Sequence, residues 1–334
     1  MLVSIIVPVY NVEHYIERCA RSLYEQTYEE IEYIWVDDAT PDHSIDQLKQ
    51  ITNEYPRRKP NVRILEHITN LGPAFARNTG LEHACGEYIY YSDADDWADS
   101  SMIEELVNCA RLHQADIVWC DFYKSFSNKN IVVRQNLALS MIDCIQCLLS
   151  EKMHGAYWNK LISRQLYLKN TMKRSYNANI CEDLLGCVQL FYYAQKVSYY
   201  PKAFYHYVQD NGQSISTHIS SEKHTGLFIN IDLIIQFIEE KQLNEQLSNE
   251  LNFVKLLSKR PYLTSTEMKN FIKWRDTYPE ANKYILSYSM LPIKLRVLGW
   301  FASKSCWLPI YLWNRLKVLK MKCTACRVLV YCFI

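Results

Sequence analysis

Several common sequence features are missing from this chain, and each absence excludes a class of protein. No apolar stretch reaches the roughly 18–20 residues that a membrane-spanning helix needs. No basic segment and small-residue cleavage site precede the strand-like residues 3–7, so we expect no signal peptide. No Gly-x-Gly-x-x-Gly follows the first apolar run and no Walker-type Gly-Lys-Ser/Thr occurs, which disfavours a dinucleotide fold and a P-loop. Any bound diphosphate would then depend on a metal and on cationic side chains.

The bulk composition is that of a globular protein. Hydrophobic residues make up 49% and charged residues 22% of the 334 positions, which argues against disorder. The length suits one large domain with an appendage, or two domains. The twelve cysteines are scattered, so we expect reduced thiols in a cytoplasmic protein. We expect no zinc site at Cys144-x-x-Cys147, which lies in a helical pattern, or at Cys323-x-x-Cys326, which lacks a clear fourth ligand.

The charge is unevenly distributed. Residues 290–334 contain eight basic and no acidic residues, whereas the other 289 residues carry 29 basic and 36 acidic residues, a net charge of −7. Clustered cations among aromatic residues favour a helix that lies on an anionic membrane surface. The alternative is a basic amphipathic helix docked on the acidic body or on another subunit. No recognised module supports nucleic-acid binding.

Strand-like and helix-like patterns alternate over the first 120 residues. Apolar runs predict strands at 3–9, 31–36, 62–65, 88–91 and 117–120. Segments with helical spacing of apolar residues lie between them. This alternation with short links predicts an α/β fold with a mostly parallel sheet flanked by helices. After residue 217 the apolar spacing is helical throughout, so we expect a helical C-terminal extension.

An acidic run follows the fourth predicted strand. Asp93 and Asp95, one residue apart, can direct carboxylate oxygens to one point beyond the strand. Such a pair suits Mg²⁺ or Mn²⁺, which completes its shell with phosphate oxygens and water. The alternative is an acidic turn that caps the next helix through Asp99 or Ser100. Polar residues also follow the first three predicted strands. Ligands of parallel α/β sheets bind at the edge formed by the carboxyl ends of the strands. The sequence therefore predicts an enzyme that handles a nucleotide diphosphate.

Four motifs occur in order along the chain: Val3-Ser4-Ile5-Ile6-Val7-Pro8-Val9-Tyr10-Asn11, Val36-Asp37-Asp38-Ala39-Thr40, Asn70-Leu71-Gly72 with Ala76-Arg77-Asn78-Thr79-Gly80, and Ser92-Asp93-Ala94-Asp95-Asp96-Trp97. Together they resemble family 2 glycosyltransferases, which have the GT-A fold and generally invert the anomeric centre. A weaker likeness continues through Trp158-Asn159-Lys160-Leu161, Cys181-Glu182-Asp183, Tyr205-His206-Tyr207 and Gln213-Ser214-Ile215-Ser216. One departure is Ala39, which stands where the family's second motif usually has glycine.

The resemblance implies a donor pocket for a nucleotide sugar. Asp38 would accept a hydrogen bond from a uracil-type imide, although a lone carboxylate after a strand can also cap a helix. Arg77 would approach the pyrophosphate, since guanidinium pairs with phosphate bidentately; the alternative is a surface salt bridge. Asp95 would bind the metal, and Asp93 would hold the ribose or the metal. The nucleotide-sugar-binding residues are then Pro8, Tyr10, Asp38, Asn70, Arg77 and Asp93.

The resemblance also implies a general base late in the domain. Asp183 is our candidate, with Glu182 as a helper, because an incoming hydroxyl must lose a proton on the far face of the sugar. Alternatively, both carboxylates only offset a helix dipole.

Three further residues have open roles. His206 is a further candidate metal ligand or a structural histidine. Trp158 is a candidate platform for an acceptor sugar or a core residue. Asp96 would face the acceptor or cap the turn.

Together these features predict a metal-dependent inverting glycosyltransferase using a nucleotide-diphosphate sugar, specifically a UDP-sugar, and Mn²⁺ or Mg²⁺. The acceptor would be a glycan or lipid-linked hydroxyl in surface polysaccharide or lipopolysaccharide synthesis, on the cytoplasmic face of the inner membrane. The expected parts are a transferase domain (1–217, with the donor part at 1–120), a helical extension (218–289) and the basic tail (290–334). The alternatives are a sugar-phosphate nucleotidyltransferase, which should have an early Gly-rich loop, and a non-catalytic nucleotide- or carbohydrate-binding module.

Overall fold

The computed structural model describes residues 1–135, 140–173, 180–211, 221–265 and 267–313. These residues form two compact units that divide after Phe237. The strands are β1 (Val3–Val9), β2 (Ile31–Asp37), β3 (Val62–Glu66), β4 (Tyr88–Tyr91), β5 (Trp97–Ala98), β6 (Ile117–Phe126), β7 (Lys129–Val133), β8 (Lys160–Ser163) and β9 (Val197–Val208). The helices are α1 (Ile16–Tyr24), α2 (Ser44–Glu54), α3 (Pro73–His83), α4 (Met102–His113), α5 (Met141–Leu149), α6 (Arg164–Lys169), α7 (Glu182–Tyr193), α8 (Ser221–Glu240), α9 (Ser248–Thr264), α10 (Met268–Asp276) and α11 (Ile293–Ser303).

One sheet contains all of these strands, in the order β3-β2-β1-β4-β8-β6-β9-β5, with β7 paired to β6. Strands β1 to β4 are parallel neighbours. Strand β8 runs antiparallel to β4 and β6, and β6 and β9 are parallel again. Because only β5, β7 and β8 run in the opposite direction, the predicted mostly parallel α/β sheet is confirmed. The antiparallel insertion of β8 was not predicted.

The apolar run of β1 is buried on both faces, as its sequence predicts. Ile5 and its alternating neighbours pack in the cluster that contains α1 and α4. Ile6 faces the other way, toward Ala76 of α3. Gly80 allows α3 to lie close to this face, because a Cβ at that position would be 2.3 Å from Cγ2 of Ile6. The lack of a side chain at Gly80 thereby sets the distance between the sheet and α3, the helix that carries Arg77.

The second unit is helical, as the spacing of its apolar residues predicts. Helices α9, α10 and α11 enclose a core that includes Phe271, Trp274 and Leu298. The predicted boundaries at residues 217 and 289 differ from the division after Phe237. The motif at 213–216 and the tail from 314 onward, with Cys323 and Cys326, lie outside the described residues.

Two further expectations concern membrane-spanning helices and the state of the cysteines. None of its helices is both long and apolar enough to span a bilayer. Cys144 is buried in α5, and the nine cysteines in the described ranges are free thiols.

Candidate active site

Polar residues after the parallel strands lie at one edge of the sheet. Tyr10 follows β1 and is 46% exposed, Asp38 follows β2, and Asp93 follows β4. Strand β1 lies between β2 and β4, and all three are parallel. Their carboxyl ends therefore meet, at the place where ligands of parallel α/β sheets bind.

Arg77 of α3 joins this edge to the start of α7. Its Nη2 donates to Oδ1 of Asp93 at 2.8 Å, while Nη1 donates to Oε1 of Glu182 at 3.0 Å and to Oδ1 of Asp183 at 3.1 Å. The guanidinium is almost fully buried, and its Nε has no hydrogen-bond partner in the described part of the chain. The structure therefore brings Asp93, Glu182 and Asp183 together around one cation, rather than leaving Arg77 in a surface salt bridge.

Three carboxylates around one guanidinium leave an excess of negative charge. Burial would lower the pKa of Arg77, but Asp183, Asp93 and Glu182 raise it well above its ordinary value, so the side chain stays cationic. Burial raises the pKa of Asp183 to about 8 against the opposing effect of Arg77. Burial also raises the pKa of Glu182. A carboxyl with raised proton affinity suits a general base.

The two residues that precede α7 position the backbone that carries its two carboxylates. Cys181, which precedes the helix, has a φ of 62°, in the left-handed region that costs free energy for residues other than glycine. Asn230 of α8 is fully buried and donates to the carbonyl of Ile180 at 2.8 Å. Glu182 and Asp183 lie in the first turn of α7, so they also favourably offset the helix dipole. Their contact with Arg77 shows that the dipole is not their only interaction.

Asp96 anchors the acidic loop to β9. It is 1% exposed, and its carboxylate accepts hydrogen bonds from Oη of Tyr205 and from the backbone N–H of Val208, both at 2.8 Å. Oη of Tyr205 also accepts from the backbone N–H of Asp93 at 3.1 Å. Helix α4 begins at Met102 without a side-chain cap, so the acidic run does not act as a helix cap. Acceptor contact by Asp96 stays a prediction, and it would require these hydrogen bonds to open.

Asp93 and Asp95 are the candidate metal ligands. Asp95 accepts from Nδ2 of Asn211 at 2.8 Å, and burial followed by the charge of Asp93 raises the pKa of Asp95. In the described ranges, no three His, Cys, Asp or Glu side chains are grouped to hold a metal ion. The two carboxylates are hard oxygen donors of the type that holds Mg²⁺ or Mn²⁺ together with diphosphate oxygens and water, and metal binding by Asp93 and Asp95 stays a prediction.

Asp38 organises the loop before α3. Its Oδ1 accepts from the backbone N–H of Leu71 at 2.9 Å, its Oδ2 from that of Gly72 at 2.7 Å, and Nδ1 of His67 lies 2.7 Å from Oδ1. Asp38 is 2% exposed. Both carboxylate oxygens of Asp38 therefore already bind the loop that contains the exposed Asn70. Contact of Asp38 with a nucleobase stays a prediction.

The other predicted donor residues border the same edge. Pro8, half-buried, pairs with Val36 in the β1–β2 register. Ala39 has a φ of 55°, a left-handed conformation that favours glycine. Ala39 therefore has the backbone conformation that glycine favours, although it replaces the glycine that is usual in the family's second motif.

His206 is buried between two aromatic rings. Its ring stacks on Trp97 with 3.4 Å between centroids and on Tyr123 with 4.5 Å. Its Nδ1 lies 3.0 Å from Oγ of Ser125, and its Nε2 lies 3.2 Å from Oδ1 of Asp99. This is the setting of a structural histidine, so metal binding by His206, which stays a prediction, would require one of these hydrogen bonds to break.

Trp158 lies in an aromatic cluster behind the acidic loop. It is 3% exposed, stacks on Tyr205 with 4.5 Å between centroids, and contacts Phe122 edge-on at 4.7 Å. These contacts favour the core alternative. A role as acceptor platform stays a prediction.

Three supporting residues were not predicted from the sequence. Tyr205 lies beside His206 in the quoted motif. Because neighbouring residues of a strand point to opposite faces, strand alternation could have identified Tyr205 as a candidate separate from His206. Asn211 and Asn230 have no local signal, because their partners lie 116 and 50 residues away.

Comparisons of sequence show the family of this chain. The chain belongs to glycosyl transferase family 2, whose sequence profile matches residues 4–171, half of the chain. It is 34% identical over 223 residues to the uncharacterized glycosyltransferase EpsJ of Bacillus subtilis, covering 64% of this chain and 63% of EpsJ. It is 31% identical over 232 residues to the cholesterol galactosyltransferase of Borreliella burgdorferi, covering 65% of this chain and 63% of that protein. The chain thus spans less than two thirds of these relatives.

Solved structures share the fold. TarS of S. aureus, in complex with UDP-GlcNAc, superposes with a TM-score of 0.68 at 19% identity over 96% of this chain and 92% of that one. The mannosyltransferase PcManGT of Pyrobaculum calidifontis, in complex with GDP-Man and Mn²⁺, superposes with a TM-score of 0.53 at 15% identity over 92% and 87% of the two chains. The fold is therefore of the GT-A type.

Proposed function

We propose that this protein transfers a sugar, with inversion, from a UDP-sugar to a hydroxyl of a glycan or lipid-linked acceptor. The observation that carries the proposal is that one buried guanidinium, Arg77, contacts both Asp93 of the acidic loop and Asp183 of α7. The residue that would meet the donor and the residue that would accept a proton thus share one site.

The residues have separate tasks in this reaction. The acceptor hydroxyl attacks the anomeric carbon while its proton passes to Oδ of Asp183, and the bond between that carbon and the diphosphate oxygen breaks. Arg77 holds Asp183 and Glu182 in place through its hydrogen bonds to both carboxylates. Asp93 and Asp95 would hold a divalent cation, which supplies Lewis-acid stabilisation of the leaving diphosphate when bound.

The relatives support the donor class and the use of a metal. TarS binds UDP-GlcNAc and UDP, and PcManGT binds GDP-Man with Mn²⁺. The acceptor belongs to cell-surface polysaccharide or lipopolysaccharide synthesis in this proposal. Contact of residues 290–334 with an anionic membrane would bring the enzyme to a lipid-linked acceptor at the cytoplasmic face of the inner membrane.

The test is release of UDP from a panel of UDP-sugars with Mn²⁺, supplied with cell-envelope lipid as acceptor. We expect Asp183→Asn to lower kcat at least about 100-fold, while UDP binding, measured by calorimetry, stays unchanged. Asp46→Asn, at an exposed carboxylate of α2, is the matched control and should keep full activity. Full activity of Asp183→Asn would refute the assigned base. UDP and Mn²⁺ binding without transfer in the wild-type chain would favour a non-catalytic module, and formation of a nucleotide sugar from a nucleoside triphosphate would favour a nucleotidyltransferase.

A further inference from the structure

Helix α11 is apolar on two sides. Its inner side packs into the second unit, where Leu298, Gly299 and Ala302 are buried. The packing is close, because a Cβ on Gly299 would lie 2.8 Å from Cγ1 of Ile285. This packing does not involve the exposed apolar residues on the other side of the helix, which therefore need a separate explanation.

The outer side of α11 exposes three large apolar side chains. Ile293, Val297 and Trp300 are 59%, 39% and 40% exposed and are spaced at i, i+4 and i+7, so they form one stripe. We call this stripe the α11 outer face. Exposed apolar residues are concentrated nearby: of the 17 large exposed ones in the described residues, seven lie between 290 and 313. Clustered exposure of this kind marks an interaction surface rather than chance.

The charged residues of α11 and of the sequence that follows it have one sign. Lys294 and Lys304 are exposed, within and at the end of the helix. No acidic residue follows Glu280 in the sequence, and five more cations lie between 314 and 334, whereas residues 1–289 carry a net charge of −7. A second copy of the same surface would bring like charges together, which disfavours self-association. A partner that is negatively charged and also accepts apolar side chains fits better.

We propose that the α11 outer face binds the surface of an anionic lipid bilayer. Ile293, Val297 and Trp300 would enter the headgroup region, and the neighbouring lysines would pair with lipid phosphates. Apolar burial and attraction to anionic lipid are the two contributions that hold interfacial helices on membranes. The proposal names the membrane-contacting residues of the proposed enzyme, but the binding itself does not depend on any sugar-transfer step.

Vesicle flotation of the full chain tests the proposal. Vesicles of phosphatidylcholine with phosphatidylglycerol are compared with vesicles of phosphatidylcholine alone. We expect binding to the anionic vesicles only, and at least about a tenfold loss of binding for Ile293→Asp with Val297→Asp. Lys294→Glu with Lys304→Glu tests the charge and should also lose at least about tenfold. Leu112→Asp is the matched control, because Leu112 is 79% exposed on α4 in the other unit, and it should bind like the wild type.

Each result is decisive when circular dichroism shows native helix content, and the charge variant covers the case in which the apolar variant fails to fold. Equal binding to both vesicle types, or no binding by the wild type, overturns the proposal. So does full binding by the folded face variants, which would assign any contact to other residues. Concentration-dependent dimerisation that is abolished by the same variants would assign the face to a second copy instead. Loss of UDP release in solution, with flotation intact, would affect the proposed function only.

Discussion

Nη1 of Arg77 lies 3.1 Å from Oδ1 of Asp183, a carboxylate 106 residues further along the chain. The same guanidinium donates to Asp93 in the acidic loop. A buried cation between carboxylates from two elements fixes their separation, so the position of the proposed base depends on an arginine of a helix distant in sequence. A planar fork with several donors does this better than an ammonium can.

Replacement of Arg77 by lysine should therefore reduce both activity and stability. Arg77→Lys keeps the charge but cannot hold three carboxylates in the same geometry, and we expect kcat for UDP release to fall at least about tenfold. The free energy of urea unfolding should fall by about 1–2 kcal/mol. Arg21→Lys is the control, because Arg21 pairs with Glu17 and Glu54 at the surface, and it should change stability by less than about 1 kcal/mol. An Arg77→Lys enzyme with wild-type kcat would contradict this positioning role.

The pH profile should have an acid limb set by Asp183. The pKa of this carboxyl is raised to about 8 by burial, and only its ionised form accepts a proton, so kcat/KM should rise with pH through about 8 and level off above that pH. Because its pKa is higher in the folded than in the unfolded state, its contribution to stability is present at low pH and lost as pH rises through about 8. Both the rate limb and this loss of stability should disappear in Asp183→Asn. Profiles of kcat/KM that stay flat below neutrality would contradict the prediction.

Neighbouring carboxylates of the acidic loop should respond differently to substitution. Asp96→Ala leaves the Tyr205 hydroxyl and the Val208 N–H buried without an acceptor, so we expect a loss of roughly 2–4 kcal/mol of unfolding free energy. Asp95→Ala should leave stability within about 1 kcal/mol of the wild type and abolish the Mn²⁺ dependence of UDP binding. Urea denaturation and calorimetry with and without Mn²⁺ separate these effects. Equal losses of unfolding free energy in the two variants would contradict the different roles assigned to Asp95 and Asp96.

Gly80 should be sensitive to the addition of a single methyl group. Gly80→Ala places a Cβ against Ile6 and must push α3 away from the sheet, at a cost of about 1–3 kcal/mol. Because Arg77 lies one turn earlier on α3, kcat should fall as well. Glu82→Ala, at an exposed position of the same helix, should change unfolding by less than about 0.5 kcal/mol in urea. Unchanged stability of Gly80→Ala would show that Ile6 moves aside freely.

Local patterns predicted the parallel part of the fold well. The runs that form β1, β2 and β4 are apolar because both faces of those strands are largely buried, and this burial is visible in the sequence. The direction of β8 is not, since its four residues pair with β4 and β6 through backbone hydrogen bonds that side chains do not specify.

The sequence predicted which residues belong to the candidate site but not which of them contact one another. Arg77 was expected against phosphate, whereas the structure shows it among carboxylates. Two of its three partners, Glu182 and Asp183, lie on α7 more than a hundred residues away, and no local spacing encodes such a contact. For the same reason Trp158 and His206, which are compatible with exposed or buried roles in sequence, could be placed among their aromatic neighbours only from the structure.

Asn230, whose amide supports the carbonyl of Ile180 from α8, has a consequence for how pieces of this protein can be exchanged. Residues 4–171 match the family, yet that segment contains the buried guanidinium without the carboxylates of α7 that oppose it. A chimaera joined at residue 171 would inherit a cation from one parent and its counter-charges from another. A junction beyond Asn230 keeps both charges and their backbone support in one piece, so the natural unit of exchange is longer than the segment that similarity defines.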